Sequence, residues 1–342
     1  MALTMKLFPG GNTSQGFYSC FPGVMEGKTR LFLLKGGPGV GKSSMMKRVA
    51  RALDDAGIDY ELFPCSSDPG SLDAVCAPAL GITMMDATAP HHYDPSVPGA
   101  RDTLVSLGDD LDEALLQRDR ERISDLFSGV SERFRRAYCY LSAAAQVHRA
   151  VEQAQPDSVR AARMAREIAG RYLSAEQGAG RRRDLFGAAY TPLGYVSFLK
   201  ELPRARSVRL ISSFGHTASP LLERLLEEAL LRGYDAVALR DPLRPEYLAH
   251  LYLPSAGLLF TTDEADDAAE KVDTGALYGK SSAVNKNDEE TFTALIAQAT
   301  DELKAAMALH DDLESYYIAA MDFTRWQKTL DALLEEILSA AR

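Results

Sequence analysis

The residues best suited to chemistry lie in one short run, Gly36-Gly37-Pro38-Gly39-Val40-Gly41-Lys42-Ser43-Ser44. It fits the spacing G-x-x-x-x-G-K-[ST] in full. Glycines at these positions let the backbone turn tightly and aim several N–H groups at one point, which suits phosphate oxygens. An apolar run, Arg30–Leu34, precedes the loop, and a helix-like segment, Lys42–Ala56, follows it. A helix N-terminus at that place adds partial positive charge. The expected cofactor-binding set is Gly36, Gly37, Pro38, Gly39, Val40, Gly41, Lys42, Ser43 and Ser44. In it Lys42 reaches the β- and γ-phosphates, Ser43 ligates Mg²⁺ and Ser44 adds a hydroxyl near the α-phosphate.

A site of this kind also needs a carboxylate at the end of a neighbouring strand to hold the metal. Ile82-Thr83-Met84-Met85-Asp86 supplies an apolar strand-like run ending in an acid. Asp86 and Ser43 are therefore the expected metal residues, and Lys42 and Asp86 the expected catalytic pair. No glutamate follows Asp86 to activate water. Asp68, His91, His92 and Asp94 are the other polar residues in nearby loops.

The elements that must position these residues occur twice. Leu7–Ser19 aligns with Leu185–Ser197 at an offset of 178, with Phe8/Phe186, Thr13/Thr191, Gly16/Gly194 and Ser19/Ser197 coinciding. From Met45 the offset is 176 and holds without a gap through Gly57/Gly233, Asp59/Asp235, Leu72/Leu248 and Gly81/Gly257. Later, Leu141, Ala144, His148 and Glu152 align with Leu303, Ala306, His310 and Glu314 at an offset of 162. A repeat this long means two similar domains, not a solenoid. In each copy an apolar strand (Arg30–Leu34; Val208–Ile211) leads into a helix closed by glycine, then into further strands at Tyr60–Phe63 and Gly81–Met85, or Ala236–Leu239 and Gly257–Thr261. Alternating strands and helices imply a mainly parallel sheet covered on both faces. The expected fold is α/β, with two duplicated P-loop NTPase-like domains and helical extensions at about 109–175 and 288–340. The boundaries are 1–180 and 184–342, with Gln177–Arg183 as linker.

The second copy reads as degenerate. Phe214–Pro220, seven residues, stands where the first copy has nine, and both the lysine and the metal-binding hydroxyl are lost. Thr262, beside Asp263, takes the place of Asp86. No nucleotide is expected there by this route. Gly279-Lys280-Ser281-Ser282 repeats the GKSS tetrapeptide without the leading spacing or a strand before it. Asn285-Lys286-Asn287-Asp288 fits the guanine-reading N-K-x-D but follows polar residues, and Asp288 reads as an N-cap. ATP is thus favoured over GTP. Arg160, Arg163 and Arg166 share a helical face; it reads as a solvated face or a patch docking on the acidic second domain rather than an arginine finger. His148 and His310 read as packing or capping residues.

At 342 residues the chain has room for roughly two domains. Residues 1–183 carry a net charge of +1 and residues 184–342 a net −11, so the second half is a poor candidate for the phosphate neutralisation that nucleic-acid binding needs, and in the first half only a local basic patch could serve. No apolar run approaches the ~18 residues of a membrane span. Four cysteines without a Cys-x-x-Cys pair indicate neither a zinc site nor a disulfide framework. A cytoplasmic protein is expected.

The pattern Gly11-Asn12-Thr13…Gly16-Phe17-Tyr18-Ser19, then the glycine loop, then Cys65-Ser66-Ser67-Asp68, then Asp86-Ala87-Thr88-Ala89-Pro90-His91…Asp94-Pro95…Pro98-Gly99-Ala100 resembles a bacterial family of uncharacterised tandem P-loop ATPases. The resemblance covers most of the chain and implies ATP binding at Gly36–Ser44 with Asp86 as the strand-end acid. It assigns no pathway, and this sequence departs from the family in its second loop. The expected activity is Mg²⁺-dependent ATP binding with hydrolysis at a single N-terminal site. The alternatives are transfer of phosphate to a small-molecule acceptor, or a nucleotide-gated module that binds a protein partner without turnover.

Overall fold

The computed structural model describes residues 3–90, 92–151, 155–174, 178–278 and 286–341. The first half opens with β1 (Leu3–Lys6), the hairpin β2 (Gly10–Thr13) and β3 (Gly16–Ser19), and the short helix α1 (Phe21–Met25). It continues through β4 (Arg30–Lys35), α2 (Lys42–Asp55), β5 (Tyr60–Pro64), β6 (Leu72–Ala77), β7 (Ile82–Asp86) and β8 (Asp102–Ser106). Helices α3 (Glu113–Arg118), α4 (Arg120–Val151) and α5 (Ser158–Tyr172) follow. The second half repeats the plan: β9 (Arg182–Leu185), the hairpin β10 (Ala188–Thr191) and β11 (Gly194–Ser197), β12 (Arg206–Ile211), α6 (Ser219–Leu231), β13 (Ala236–Arg240), β14 (Leu248–Leu253), β15 (Leu258–Thr261) and β16 (Glu270–Asp273). It ends in α7 (Lys286–Ala320) and α8 (Phe323–Ser339).

Two six-stranded sheets result, ordered β1-β5-β6-β7-β4-β8 and β9-β13-β14-β15-β12-β16. Each is parallel except for one strand, β6 or β14, which runs antiparallel to both neighbours. Strand β4 is buried on both faces, so it reads as the unbroken apolar run Leu31–Leu34 rather than as an alternation. Phe32 and Leu34 pack towards α2, whose Met45, Met46, Val49, Ala50 and Leu53 form one apolar stripe. Leu31 and Leu33 point the other way, into a core shared with Leu185, Val237, Leu239 and Leu259 of the second sheet. Between the sheets the two hairpins join as one four-stranded sheet, β11-β10-β2-β3. Residues at the offset of 178 meet there. Phe8 and Phe186 exchange N–H···O bonds of 2.9 and 3.0 Å, and Asn12 pairs with Tyr190.

The helical extensions are exchanged. Trp326, Leu330, Leu333 and Ile337 of α8 pack with α2 on the first sheet, while Ala161, Ala165 and Ile168 of α5 pack with α6 on the second. Each copy's extension therefore covers the other copy's sheet, which the expected division at 180–184 does not convey. Arg182 and Arg183, expected in a linker, lie in β9 and pair with β13; Gln177 lies outside the described residues. Three of the arginines of α5 reach the second half: Arg160 donates to the Ala276 carbonyl at 2.6 Å, and Arg166 and Arg171 lie 3.8 and 3.0 Å from Glu228 and Glu270, while Arg163 is exposed. Helices α4 and α7 run antiparallel, with Leu126 beside Leu313 at one end and Ala144 beside Ala299 towards the other. Helix α7 begins at Lys286, which places Asp288 in the first turn and not at the N-cap. Among the described residues no helix is long and apolar enough to cross a membrane.

Candidate functional site

The loop Gly36–Gly41 leaves the C-terminal end of β4 and delivers Lys42 to the first position of α2. Gly39 and Gly41 take φ of +72° and +86°, a left-handed conformation that side chains resist. Strand β7 lies beside β4 with Leu34 opposite Asp86, so pairing alone carries the carboxylate to the mouth of the loop. Lys42 Nζ donates to the carbonyl oxygens of Gly36 and Gly37 at 2.7 and 2.8 Å. It lies 3.5 Å from Asp86 Oδ2. Asp86 Oδ1 accepts the Thr88 N–H at 2.8 Å and the Thr88 hydroxyl. Both charged side chains are largely shielded from water. Ser43 Oγ accepts the N–H of Leu72 at 3.0 Å, which fixes the hydroxyl against the start of β6. One ammonium, one carboxylate and one hydroxyl are thereby gathered beside a glycine-rich loop, a set whose chemistry can serve phosphate and a hard cation.

Two of the other polar candidates are engaged elsewhere. Asp68 accepts the Gly70 N–H within its own turn. Asp94 pairs with Lys35 at 3.0 Å, and His92 is exposed. His91, the Gly279–Ser282 tetrapeptide and Asn285 lie outside the described residues.

The second half corrects one expectation. Strands β4 and β12 match at the offset of 176 along their whole length, so the second loop is not shortened. The change of offset falls earlier, between the hairpin and β12. Ser219 then stands at the position of Ser43, and its Oγ accepts the N–H of Leu248, the counterpart of Leu72, at 2.9 Å. The hydroxyl is retained. The ammonium and the carboxylate are not: Ala218 and Thr262 replace Lys42 and Asp86. Gly215, the counterpart of Gly39, keeps a φ of +87°. His216 stacks on Tyr278 with ring centroids 4.0 Å apart.

Helices from the far end of the chain cover the first loop, and sequence reasoning missed them. The Gly39 N–H donates to Glu314 Oε1 of α7 at 3.3 Å. A Cβ on Gly37 would lie 2.6 Å from the Tyr317 ring, and one on Gly41 2.9 Å from Trp326 Nε1. In the second half the Gly215 N–H donates to His148 Nε2 of α4 at 3.4 Å. His148 therefore caps a loop, as expected of it. Burial holds its pKa down to about 3.

His250, on β14, is fully buried. Its Nδ1 accepts the Thr262 N–H at 3.3 Å and lies 2.8 Å from Thr261 Oγ1. Burial lowers its pKa to about 4, against the opposing pull of Asp263 and Asp266. Unfolded chains take up this proton near pH 6.5 and the folded chain only near 4, so acidification between those values favours unfolding. The loss attributable to His250 between pH 7 and 4.5 is about 2–3 kcal/mol. Urea unfolding of wild type and His250→Gln at both pH values checks it; an equal acid loss in both chains refutes it.

The chain matches no family model, no curated protein and no solved structure.

Proposed function

We propose that the chain is a Mg²⁺-dependent ATP-binding protein with a single site at Gly36–Ser44, and that it cleaves the β–γ phosphate bond there. The observation that carries this reading is the Lys42–Asp86 pair set against its counterpart. The same strand order and the same Ser–Leu hydrogen bond form in the second half with Ala218 and Thr262 at the two positions. The framework does not need the two charges, which cost desolvation wherever they are shielded. Their presence in one loop alone is best explained by a ligand. The loop N–H groups and Lys42 would bind the phosphate oxygens and stabilise charge developing on them. Ser43 and Asp86 would hold the cation, which neutralises the same charge. On this reading the two halves are duplicated P-loop domains of which one has lost its site, in line with the resemblance to the tandem ATPases.

Titration calorimetry with Mg·ATP and Mg·GTP, with phosphate release measured in parallel, tests the reading. Saturable binding of ATP at one site per chain, weaker binding of GTP and release of phosphate are expected. Failure of both nucleotides to bind sinks it. A switch without turnover is the second reading. It is favoured by Ala87, which is buried and follows Asp86 where a water-activating acid would stand. Binding with no phosphate release would select it, or a phosphotransferase awaiting its acceptor.

A further inference from the structure

The contact between α7 and the loop bears on how the site is regulated, given the nucleotide reading above. Backbone N–H groups of a glycine loop bind phosphate because they converge and carry partial positive charge. One of them, that of Gly39, donates to a carboxylate oxygen, Glu314 Oε1, at 3.3 Å. The carboxylate comes from a residue 275 positions away, on a helix that belongs to the other copy. The approach is close along its whole length. A Cβ on Gly39 would lie 2.7 Å from the Glu314 carbonyl oxygen and 3.1 Å from Ile318, and Tyr317 crowds Gly37 in the same way. Glu314 is held loosely on its other side, with His310 Nδ1 at 3.7 Å and the side chain about a third exposed.

We infer that Glu314 is an intramolecular stand-in for a nucleotide phosphate, and that the end of α7 is an autoinhibitory lid. A carboxylate and a phosphate oxygen compete for the same N–H, and their like charges forbid both in one cradle. Nucleotide binding therefore has to displace Glu314, and α7 with it. Helix α8 follows α7 after two residues and carries Trp326 against Gly41. Movement of α7 thus reaches the packing of α8 on α2. Because α7 also lies along α4, whose last turn caps the second loop through His148, displacement at one loop changes the cover of the other. The second half is then the partner that senses nucleotide, rather than a spent copy.

Trp326 is the one tryptophan of the chain, so its fluorescence reports on this contact without labels. Wild type, Glu314→Gln and Lys42→Ala are titrated with Mg·ATP, and hydrogen exchange of residues 310–320 is followed with and without nucleotide. Glu314→Gln removes the charge and keeps an oxygen for the Gly39 N–H, so the fold is retained, which thermal melting verifies. Glu314→Gln is expected to bind Mg·ATP about tenfold tighter than wild type, as loss of a charge-assisted competitor requires. Exchange in 310–320 is expected to rise when wild type binds. Equal affinities of wild type and Glu314→Gln, with binding still dependent on Lys42, overturn the lid and leave the nucleotide site standing. So does unchanged exchange in 310–320. Absence of binding in both wild type and Glu314→Gln overturns the nucleotide reading and the lid together.

Discussion

Lys42→Ala is expected to raise the dissociation constant for Mg·ATP by at least about a hundredfold. A charge that is shielded and bonded to its ligand contributes about 2–5 kcal/mol when truncated, and every 1.4 kcal/mol is a factor of ten. On the proposed reading Lys42 would be such a charge. Its ammonium sits over the loop carbonyls of Gly36 and Gly37, 3.5 Å from Asp86 and largely out of water. Removing it has a second consequence: Asp86 is left as an unopposed negative charge beside the place where phosphates would lie. The single variant Asp86→Asn and the double variant Lys42→Ala/Asp86→Asn separate the two effects. If the double variant recovers part of the loss, repulsion by Asp86 accounts for at least that part; what remains is shared by the lost ammonium and the lost cation carboxylate, and Asp86→Asn alone measures the latter. Calorimetry on the three variants measures this, and an affinity of Lys42→Ala within threefold of wild type would remove Lys42 from the site.

Much of this arrangement was legible in the sequence because it is local. The loop spacing, the strand before it and the helix after it are set by neighbours a few residues apart. Arg30–Lys35 and Lys42–Asp55 form where the pattern put them. Asp86 was found because an apolar run ending in an acid marks a buried strand reaching a sheet edge. The repeated order of strands and helices was visible through turn glycines such as Gly57/Gly233 and Gly81/Gly257. The shifted reading of the second loop arises because most of the glycines and the lysine that announce such a loop are absent there; the match of β4 with β12 and the equivalent hydrogen bonds of Ser43 and Ser219 fix its register. Strands β6 and β14 escaped notice since they are buried on both faces and carry no alternation.

What the sequence could not give is the long-range part. Glu314, Tyr317 and Trp326 sit in helices whose apolar residues fit a core packed against anything. Nothing local tells α8 to cover the first sheet rather than the second. That choice follows from the pairing of α4 with α7 and from the joined hairpins, contacts between residues more than a hundred positions apart.

The seam between the halves yields the largest expected loss of stability. Glu61, on β5, and Arg183, on β9, form a two-pronged ion pair of 2.9 and 2.8 Å in the buried region between the two sheets. Arg183 Nε also donates to the Gly23 carbonyl at 2.7 Å, and the guanidinium lies over the Phe63 ring. Each of the three guanidinium nitrogens thereby makes a hydrogen bond, and nearly all of the carboxylate is hidden. Breaking such a pair on one side leaves the other charge buried without a partner, which costs about 3–5 kcal/mol. Glu61→Ala is expected to cost that much in urea unfolding, and Arg183→Leu a similar amount. The double variant Glu61→Leu/Arg183→Leu should recover most of it, because two apolar side chains at the seam need no partners. A pair that served only as a surface tether would show less than about 1 kcal/mol for each single change and additive doubles. Strong non-additivity shows instead that the halves are locked through this pair.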